Sequence, residues 1–292
     1  MITSTSNPRI RQVIQWQTKA KERRKDGVFV VEGIKMYEEA PDEWLRETYV
    51  STGFLERIGA RKTAGEATWQ NPDGGMEAVV WNRLQAKGYE EVSDEVFAKM
   101  SDTKTPQGIL AVLDQPRYDL QEILQGSRES SVEKRQPLFL VLENLQDPGN
   151  LGTIMRTGEG AGITAVIMSA STVDIFNPKV IRSTMGSIYR VPFIYEESLP
   201  EVMAVLHEAG VKTYAAHLDG KDYYDSFSFE GPTAFLIGNE GNGLTRELAD
   251  MASFYIKIPM EGKLESLNAG VASALLVYEA HRQRSASSMR HG

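Results

Sequence analysis

The sequence predicts an α/β protein whose carboxyl-terminal half is a mostly parallel sheet covered by helices on both faces. Short apolar runs typical of buried strands recur along the chain, helical stretches separate them, and turn residues mark their ends. Strands that alternate with helices in this way are typical of parallel sheets. The 292 residues are enough for two domains, and a hydrophobic share of 41% is ordinary for a globular protein.

The amino-terminal domain, residues 1–116, is predicted to be small and of mixed α/β structure. Apolar runs at 29–31, 49–50 and 109–113 predict strands, and residues 76–87 and 93–100 predict helices. Pro106 and Gly108 supply turn chemistry before the last strand. A polar tract at 126–136 lacks apolar periodicity, so a linker is predicted at 117–136.

The second domain, residues 137–292, is predicted to contain the parallel sheet. Strands are expected at 138–142, 165–168, 212–216, 234–237 and 255–258, with helices from about 151 and at 178–185, 199–209 and 268–284. Ligands in such sheets bind beyond the carboxyl ends of the strands. The loops after Leu142, Ile237 and Ile258 are therefore the candidates for a functional site.

The first loop leads from Glu143 into a helix whose start presents unpaired backbone N–H groups, which suits an anionic or polar ligand. Asn150 and Arg156 are expected to lie near one another, and the guanidinium fork of Arg156 suits phosphate. A plain turn at Asp147, with Asn150 as a helix cap and Arg156 on the surface, explains the same residues without chemistry.

The second loop contains Gly238, Gly241 and Gly243, which allow close approach of the backbone to a ligand, and Glu240 is a single carboxylate among them. No Lys-Ser or Lys-Thr pair follows, so the loop is not a P-loop, and its spacing is not that of a dinucleotide fingerprint. In the third loop, Ser266 and Asn268 are good helix caps, and capping alone would explain them.

In this order and spacing, the three loops together resemble the three motifs of the SpoU (TrmH) family of RNA 2′-O-ribose methyltransferases, in the SPOUT superfamily. The amino-terminal half is similar to the substrate-binding domain of such enzymes, which resembles small α/β ribosomal proteins, at 31–33 and 105–112. The matching residues of the three motifs are Asp147, Asn150, Gly152 and Arg156, then Ile237, Glu240 and Gly243, then Ile258, Ser266 and Asn268.

The resemblance implies a trefoil-knotted catalytic domain that binds S-adenosylmethionine in its knotted loops, and a homodimer with the active site near the dimer interface. It implies that Gly238, Ile258 and Leu267 contact this methyl donor, with His217 and Leu218 as further lining. The catalytic set that it implies is Asn150, Arg156, Glu240, Ser266 and Asn268.

The same resemblance places Arg156 at the ribose 2′-hydroxyl. A guanidinium is effectively always protonated, so we expect Arg156 to clamp a phosphate and to stabilise developing oxyanion charge rather than to act as the base. The other four residues of the set would orient Arg156, the ribose and the donor. The group that takes the hydroxyl proton is left open.

The expected substrate is structured RNA, with ribosomal RNA favoured because an amino-terminal substrate domain is more usual for ribosomal targets in this family. A housekeeping enzyme and a resistance methyltransferase both fit. The alternatives are a transfer RNA 2′-O-methyltransferase, a non-catalytic RNA-binding protein on the same fold, and an unrelated nucleotide-binding α/β enzyme.

Charge and composition set limits on the partners. The net charge of −8, taken over the whole chain, argues against a partner rich in phosphate, such as a nucleic acid. Residues 7–35, however, contain eight basic and three acidic residues, which give a local charge of +5 that could bind phosphates. No cysteine is present and only four histidines, so thiolate sites are excluded and no metal is expected. No stretch is long or apolar enough for a signal peptide or membrane span, so a cytoplasmic protein is predicted.

Overall fold

A computed structural model describes residues 1–63, 66–69, 75–129 and 136–290. The chain forms two compact units, one of Met1–Pro116 with Phe176–Tyr189 and the other of Arg117–Ile175 with Arg190–Gly292. The sequence does not predict that residues 176–189 belong to the first unit. In that unit the ring of Phe176 lies 4.8 Å from the ring of Phe29, and Tyr189 donates a buried hydrogen bond of 2.8 Å to the carbonyl of Met36.

The first unit contains a four-stranded sheet in the order β1-β6-β2-β5 and a separate hairpin of β3 and β4. The central strand β6 is buried from Ile109 to Leu113 and pairs antiparallel with both β1 and β2. The elements are α1 (Pro8–Thr18), α2 (Ala20–Asp26), β1 (Val28–Glu32), α3 (Ile34–Glu38), β2 (Leu45–Ser51), α4 (Thr52–Arg57), β3 (Ala60–Thr63), β4 (Glu66–Trp69), α5 (Met76–Lys87), β5 (Glu90–Val92), α6 (Asp94–Met100) and β6 (Ile109–Asp114), with the later helix α9 (Pro178–Thr184).

The second unit contains a seven-stranded sheet in the order β11-β13-β10-β12-β7-β8-β9, with parallel pairing throughout. The predicted α/β class and the mostly parallel second sheet are confirmed. The elements are α7 (Leu120–Glu129), β7 (Leu138–Leu142), α8 (Pro148–Ala161), β8 (Ala165–Ser169), β9 (Phe193–Glu196), α10 (Leu199–Glu208), β10 (Lys212–Ala216), β11 (Asp222–Tyr223), β12 (Thr233–Ile237), α11 (Arg246–Asp250), β13 (Phe254–Lys257) and α12 (Ala269–Arg290).

The core of the second unit lies around the two central strands, β7 and β12, which are buried at every position. Such continuous apolar strands are typical of parallel sheets covered on both faces. Phe139 and Val141 pack with residues of α7, α10 and α11 on one side, whereas α12 contacts β12 and packs beside α8. Because β7, β12 and β13 are parallel, the three motif loops leave the sheet at one edge.

Two predicted boundaries are corrected. The predicted linker 117–136 contains the helix α7, and Leu120 and Leu124 are buried in the core of the second unit, so this part is not a linker. Its later residues, 130–135, lie outside the described residues. Helix α8 begins at Pro148 rather than near Leu151, because Asp147, and not Asn150, caps it by accepting a hydrogen bond of 2.8 Å from the Asn150 N–H.

Candidate active site at the carboxyl edge of the sheet

A cavity of about 280 Å³ lies beyond the carboxyl ends of β10, β12 and β13. Its apolar walls include Ile237, Leu244 and Ile256. Two residues of the predicted catalytic set, Glu240 and Ser266, also line it, whereas Asn150, Arg156 and Asn268 do not. The cavity is lined by all five residues expected to contact the donor, namely His217, Leu218, Gly238, Ile258 and Leu267.

The glycine loop between β12 and α11 folds back on itself. Asn239 and Gly243 exchange two backbone hydrogen bonds of 3.0 and 2.9 Å. A Cβ atom on Gly238 would lie 2.0 Å from the carbonyl carbon of Gly243 and 2.1 Å from the amide nitrogen of Leu244. Glycine is therefore required at 238 by the loop's own backbone, and Gly243 is required by its φ of +69°.

Glu240 joins the glycine loop to the first motif loop. Its carboxylate accepts hydrogen bonds from the side chain of Asn150 at 3.0 Å and from the backbone N–H groups of Asp147 at 2.9 Å and Gln146 at 3.0 Å. Partial burial acts to raise the pKa of Glu240, but these hydrogen bonds outweigh it and lower the pKa below its ordinary value. The ionised carboxylate is thus the form that holds the two loops together.

Asn150 joins the third motif to the same cluster. Its Oδ1 accepts a hydrogen bond of 2.8 Å from Nδ2 of Asn268. The Oδ1 of Asn268 accepts in turn from the backbone N–H groups of Gly270 at 2.9 Å and Val271 at 3.3 Å, which caps α12. A continuous chain of hydrogen bonds therefore runs from Glu240 through Asn150 to Asn268, one residue from each motif.

Arg156 lies outside this chain of hydrogen bonds. Six residues along a helix correspond to a rotation of about 240° and a rise of about 9 Å, so Asn150 and Arg156 lie on different faces of α8. Asn150 is buried and Arg156 is exposed. The expectation that the two side chains lie near one another is wrong, because the rotation of the helix separates them.

Helices α8 and α12 lie side by side along the exposed face that carries Arg156. A Cβ on Gly270 of α12 would lie 3.2 Å from the side chain of Thr153, and a Cβ on Gly160 would lie 2.7 Å from the hydroxyl of Tyr278. Arg156 is between Thr153 and Gly160 on α8. Its guanidinium is thus exposed to solvent beside α12 and does not line the cavity at the ends of β10, β12 and β13.

Comparisons with known proteins show which family the chain belongs to. Residues 137–278 match the model of the SpoU rRNA Methylase family, and residues 7–111 match the model of the MRM3-like substrate binding domain. The 23S rRNA (guanosine(2553)-2′-O)-methyltransferase RlmP of Bacillus subtilis is 31% identical over 277 residues, which is 95% of this chain and 97% of the relative. The chain belongs to the SpoU family.

Two further SpoU relatives cover nearly the whole chain. An uncharacterized tRNA/rRNA methyltransferase of Synechocystis is 33% identical over 98% of this chain and 95% of its own length. The solved structure of an AdoMet-bound rRNA methyltransferase from Sinorhizobium meliloti is 25% identical, covers 96% of this chain and 97% of that one, and superposes with a TM-score of 0.75. The resemblance recognised from the three motifs is confirmed.

The remaining site residues of this SpoU chain lie at the rim of the cavity. Ser266 is exposed, and Leu218 has 52% of its surface exposed. His217 accepts a hydrogen bond of 3.1 Å at Nδ1 from the backbone N–H of Asp219, and its ring meets that of Tyr255 edge-on at 5.2 Å. Arg246 forms an ion pair of 3.1 Å with Asp219, which ties this rim to α11.

Sequence reasoning missed several residues that shape the site. Glu143 and Asn239 were not selected, although each follows a buried strand at the carboxyl edge, which was the available signal. Asn239 donates a hydrogen bond of 2.8 Å to the carbonyl of Asn144, and Glu143 contacts Thr245.

Within the part of the chain that the structure describes, no three His, Asp or Glu side chains come together as metal ligands. No helix among those residues is long and apolar enough to cross a membrane.

Proposed function

We propose that this SpoU protein transfers a methyl group from S-adenosylmethionine, or AdoMet, to a ribose 2′-hydroxyl in structured RNA, with ribosomal RNA as the substrate. The observation that carries the proposal is the chain of hydrogen bonds from Glu240 through Asn150 to Asn268 beside the cavity. The name of the Bacillus subtilis relative, a 23S rRNA 2′-O-methyltransferase, supports it. A ribosomal substrate also implies a cytoplasmic location.

The cavity suits the methyl donor. Ile237, Leu244 and Ile258 provide apolar walls of the kind that an adenine ring needs. A Cβ on Gly243 would meet open space, and one on Gly241 would meet only the side chain of Asn239 at 3.5 Å. The loop therefore leaves room for a ligand against its backbone. When bound, the donor supplies an electrophilic methyl group on a cationic sulfur.

Asn150 is proposed to orient the site rather than to move a proton. Its amide group donates to Glu240 and its amide oxygen accepts from Asn268, so both polar ends are engaged. Arg156 is proposed to bind the RNA backbone and to stabilise the charge that develops on the ribose oxygen as its proton leaves. Its exposed position on α8 is consistent with contact to a large substrate. Ser266, at the rim, is proposed to help orient the ribose.

The first unit, residues 1–116 with 176–189, is proposed to bind RNA, and the second unit, which begins at Arg117 and contains the remaining residues, is proposed to be the knotted catalytic domain. The match of residues 7–111 to a substrate-binding domain supports this division. Arg23 is buried and donates to the carbonyl of Trp16 at 2.6 Å, so it stabilises the fold of α1 and α2 rather than contacting RNA. Seven of the eight basic residues between 7 and 35 are exposed and form the proposed basic patch: Arg9, Arg11, Lys19, Lys21, Arg24, Lys25 and Lys35. Arg9 and Lys35 form ion pairs with Glu90 and Glu39.

A homodimer is proposed from an apolar stripe on α12. Val271, Leu275 and Tyr278 are 47%, 38% and 46% exposed and follow one another at intervals of four and three residues. This spacing places them on one face of the helix. A second copy of the chain would bury the stripe and bring Arg156 close to the interface.

The proposed activity is tested by incubating the protein with methyl-labelled AdoMet and either ribosomal or transfer RNA, then digesting the RNA to nucleosides. We expect label in 2′-O-methylnucleosides from ribosomal RNA. Label only from transfer RNA would favour the tRNA alternative, and label in a base would overturn ribose methylation. RNA binding without any transfer would favour the non-catalytic alternative.

A further inference from the structure

Glu143 contacts both ends of the glycine loop that lines the cavity. It follows β7, and only 9% of its surface is exposed. Its backbone N–H donates a hydrogen bond of 2.9 Å to the carbonyl of Ile237, the residue before the loop. Its carboxylate accepts from the backbone N–H and from the hydroxyl of Thr245, the residue after the loop, at 2.7 Å each.

The segment between these two anchors, 238–244, lines the cavity at every position. Three glycines give this segment many backbone conformations in isolation. If a ligand had to order the segment on binding, the loss of backbone entropy would weaken the binding affinity. Within the loop, the paired backbones of Asn239 and Gly243 and the buried side chain of Leu244 provide some order. Glu240 and Asn239 fasten the middle of the loop to the segment that follows β7. The contacts of Glu143 fasten the residues on either side of the loop, Ile237 and Thr245, to the end of the same strand.

We propose that Glu143 is a positioning residue for the donor pocket, which holds the glycine loop in its binding conformation by fastening Ile237 and Thr245 to the end of β7. A loop that is fastened before the ligand arrives loses less freedom on binding, so affinity rises without any direct contact to the ligand. Glu143 itself does not line the cavity. The inference rests on the proposed function, because the ligand is the methyl donor.

Three substitutions separate this role from general stabilisation. Glu143→Gln keeps the size of the side chain but replaces one acceptor oxygen by an amide donor that faces the donors of Thr245. Thr245→Ser keeps both the N–H and the hydroxyl and is the matched control, since it also keeps the cap that Thr245 provides to the Leu248 N–H at 3.3 Å. Thr245→Val removes the hydroxyl contact together with this cap, keeps the N–H contact to Glu143, and is a second test if Glu143→Gln does not fold.

The decisive measurement is calorimetric titration of AdoMet into the full-length protein and each variant. We expect Glu143→Gln and Thr245→Val to weaken AdoMet binding on the order of tenfold, the effect of a lost charge-assisted hydrogen bond, and Thr245→Ser to bind within about twofold of wild type. In the ligand-free protein, amide exchange at 239–244 should be faster in Glu143→Gln. The donor KM should rise more than kcat falls at saturating donor.

Wild-type affinity and unchanged amide exchange in a folded Glu143→Gln protein would overturn the inference while leaving the proposed function intact. If Glu143→Gln does not fold, an AdoMet affinity of Thr245→Val equal to that of the wild type would overturn the inference instead. Failure of the wild-type protein to bind AdoMet would instead overturn the proposed function, and the inference with it.

Discussion

Asn268 donates a hydrogen bond of 2.8 Å to the side-chain oxygen of Asn150, although 118 positions separate the two residues in the chain. The amide group of Asn150 donates in turn to Glu240 at 3.0 Å. One small amide therefore connects the loops that follow β7, β12 and β13. A geometry of this kind depends on all three loops at once, so a change at Asn150 is transmitted to each of them.

Replacement of Asn150 by alanine is expected to lower methyl transfer about 100-fold, because misplacement of catalytic groups by roughly 1 Å can cost that much. The substitution removes two hydrogen bonds and leaves the side chains of Glu240 and Asn268 without this partner. Single-turnover rates with saturating donor and RNA measure the effect. Thr157→Val is the control on the same helix, since the Thr157 hydroxyl donates to the helix carbonyls of Thr153 and Ile154. An equal loss there would contradict the assignment.

Arg156→Ala is expected to lower methyl transfer by about 100- to 1000-fold, the range found when a group that stabilises developing oxyanion charge is removed. AdoMet affinity should be unchanged, because Arg156 is exposed on α8 and does not line the cavity. Arg156→Lys keeps the charge without the guanidinium fork and should recover only part of the rate. Single-turnover rates near wild type for Arg156→Ala would remove Arg156 from the catalytic set.

Gly238→Ala is expected to weaken AdoMet binding at least about tenfold and to lower the melting temperature, since the added Cβ overlaps the backbone of Gly243 and Leu244. This clash lies within the backbone of the loop itself rather than in the cavity. Gly241→Ala is a matched control, because its Cβ would meet only the Asn239 side chain at 3.5 Å. Equal affinity in the two variants would contradict this reading of the loop.

Protonation of Glu240 is expected to weaken the second unit in acid. Its pKa in the folded protein is lowered from the ordinary value of 4.5. Its stabilising contribution is therefore fully present above about pH 4.5 and is lost as the pH falls through the lowered pKa. At neutral pH the free energy of unfolding should be larger for the wild type than for Glu240→Gln, and the two values should converge at a pH below the lowered pKa of Glu240. A difference that is independent of pH would show that the charge of Glu240 does not matter.

RNA affinity is expected to depend on the proposed basic patch. Arg24→Glu with Lys25→Glu should weaken RNA binding and reduce its dependence on salt, because fewer phosphate counterions are released. Arg23 is left intact, since it is buried and its loss would disturb the fold. Lys99→Glu with Lys212→Glu, which changes the charge equally at exposed positions outside the patch, is the control. Equal loss of affinity in both proteins would show only an effect of net charge.

Much of the second unit can be predicted from its sequence, since its strands are continuous apolar runs. The predicted strands 138–142 and 212–216 coincide with β7 and β10. The short, partly polar elements α4, β11 and α11 have no such pattern and were not predicted. The course of residues 176–189 into the first unit depends on long-range packing of side chains such as Phe176 on Phe29, which periodicity does not encode.

The candidate site, too, could be predicted only in part from the sequence. The five residues expected to contact the donor all line the cavity, because the motifs mark the carboxyl ends of the strands, whereas other lining residues such as Asn239 were missed. Asn150 could be selected but its contacts could not be predicted, since its partners Glu240 and Asn268 lie 90 and 118 positions away in the chain. The contact of Glu143 with Thr245 could not be predicted, because the two residues lie 102 positions apart in the chain. The trefoil knot, the homodimer and the roles of the site residues stay predictions.

The most direct test of the central claim is a map of ribose methylation across the ribosomal RNA of cells that carry or lack the gene. The proposed function predicts one 2′-O-methyl group that is missing without the gene, restored by the wild-type protein and not restored by Arg156→Ala. Identical ribose methylation of ribosomal RNA in both cell types would contradict it.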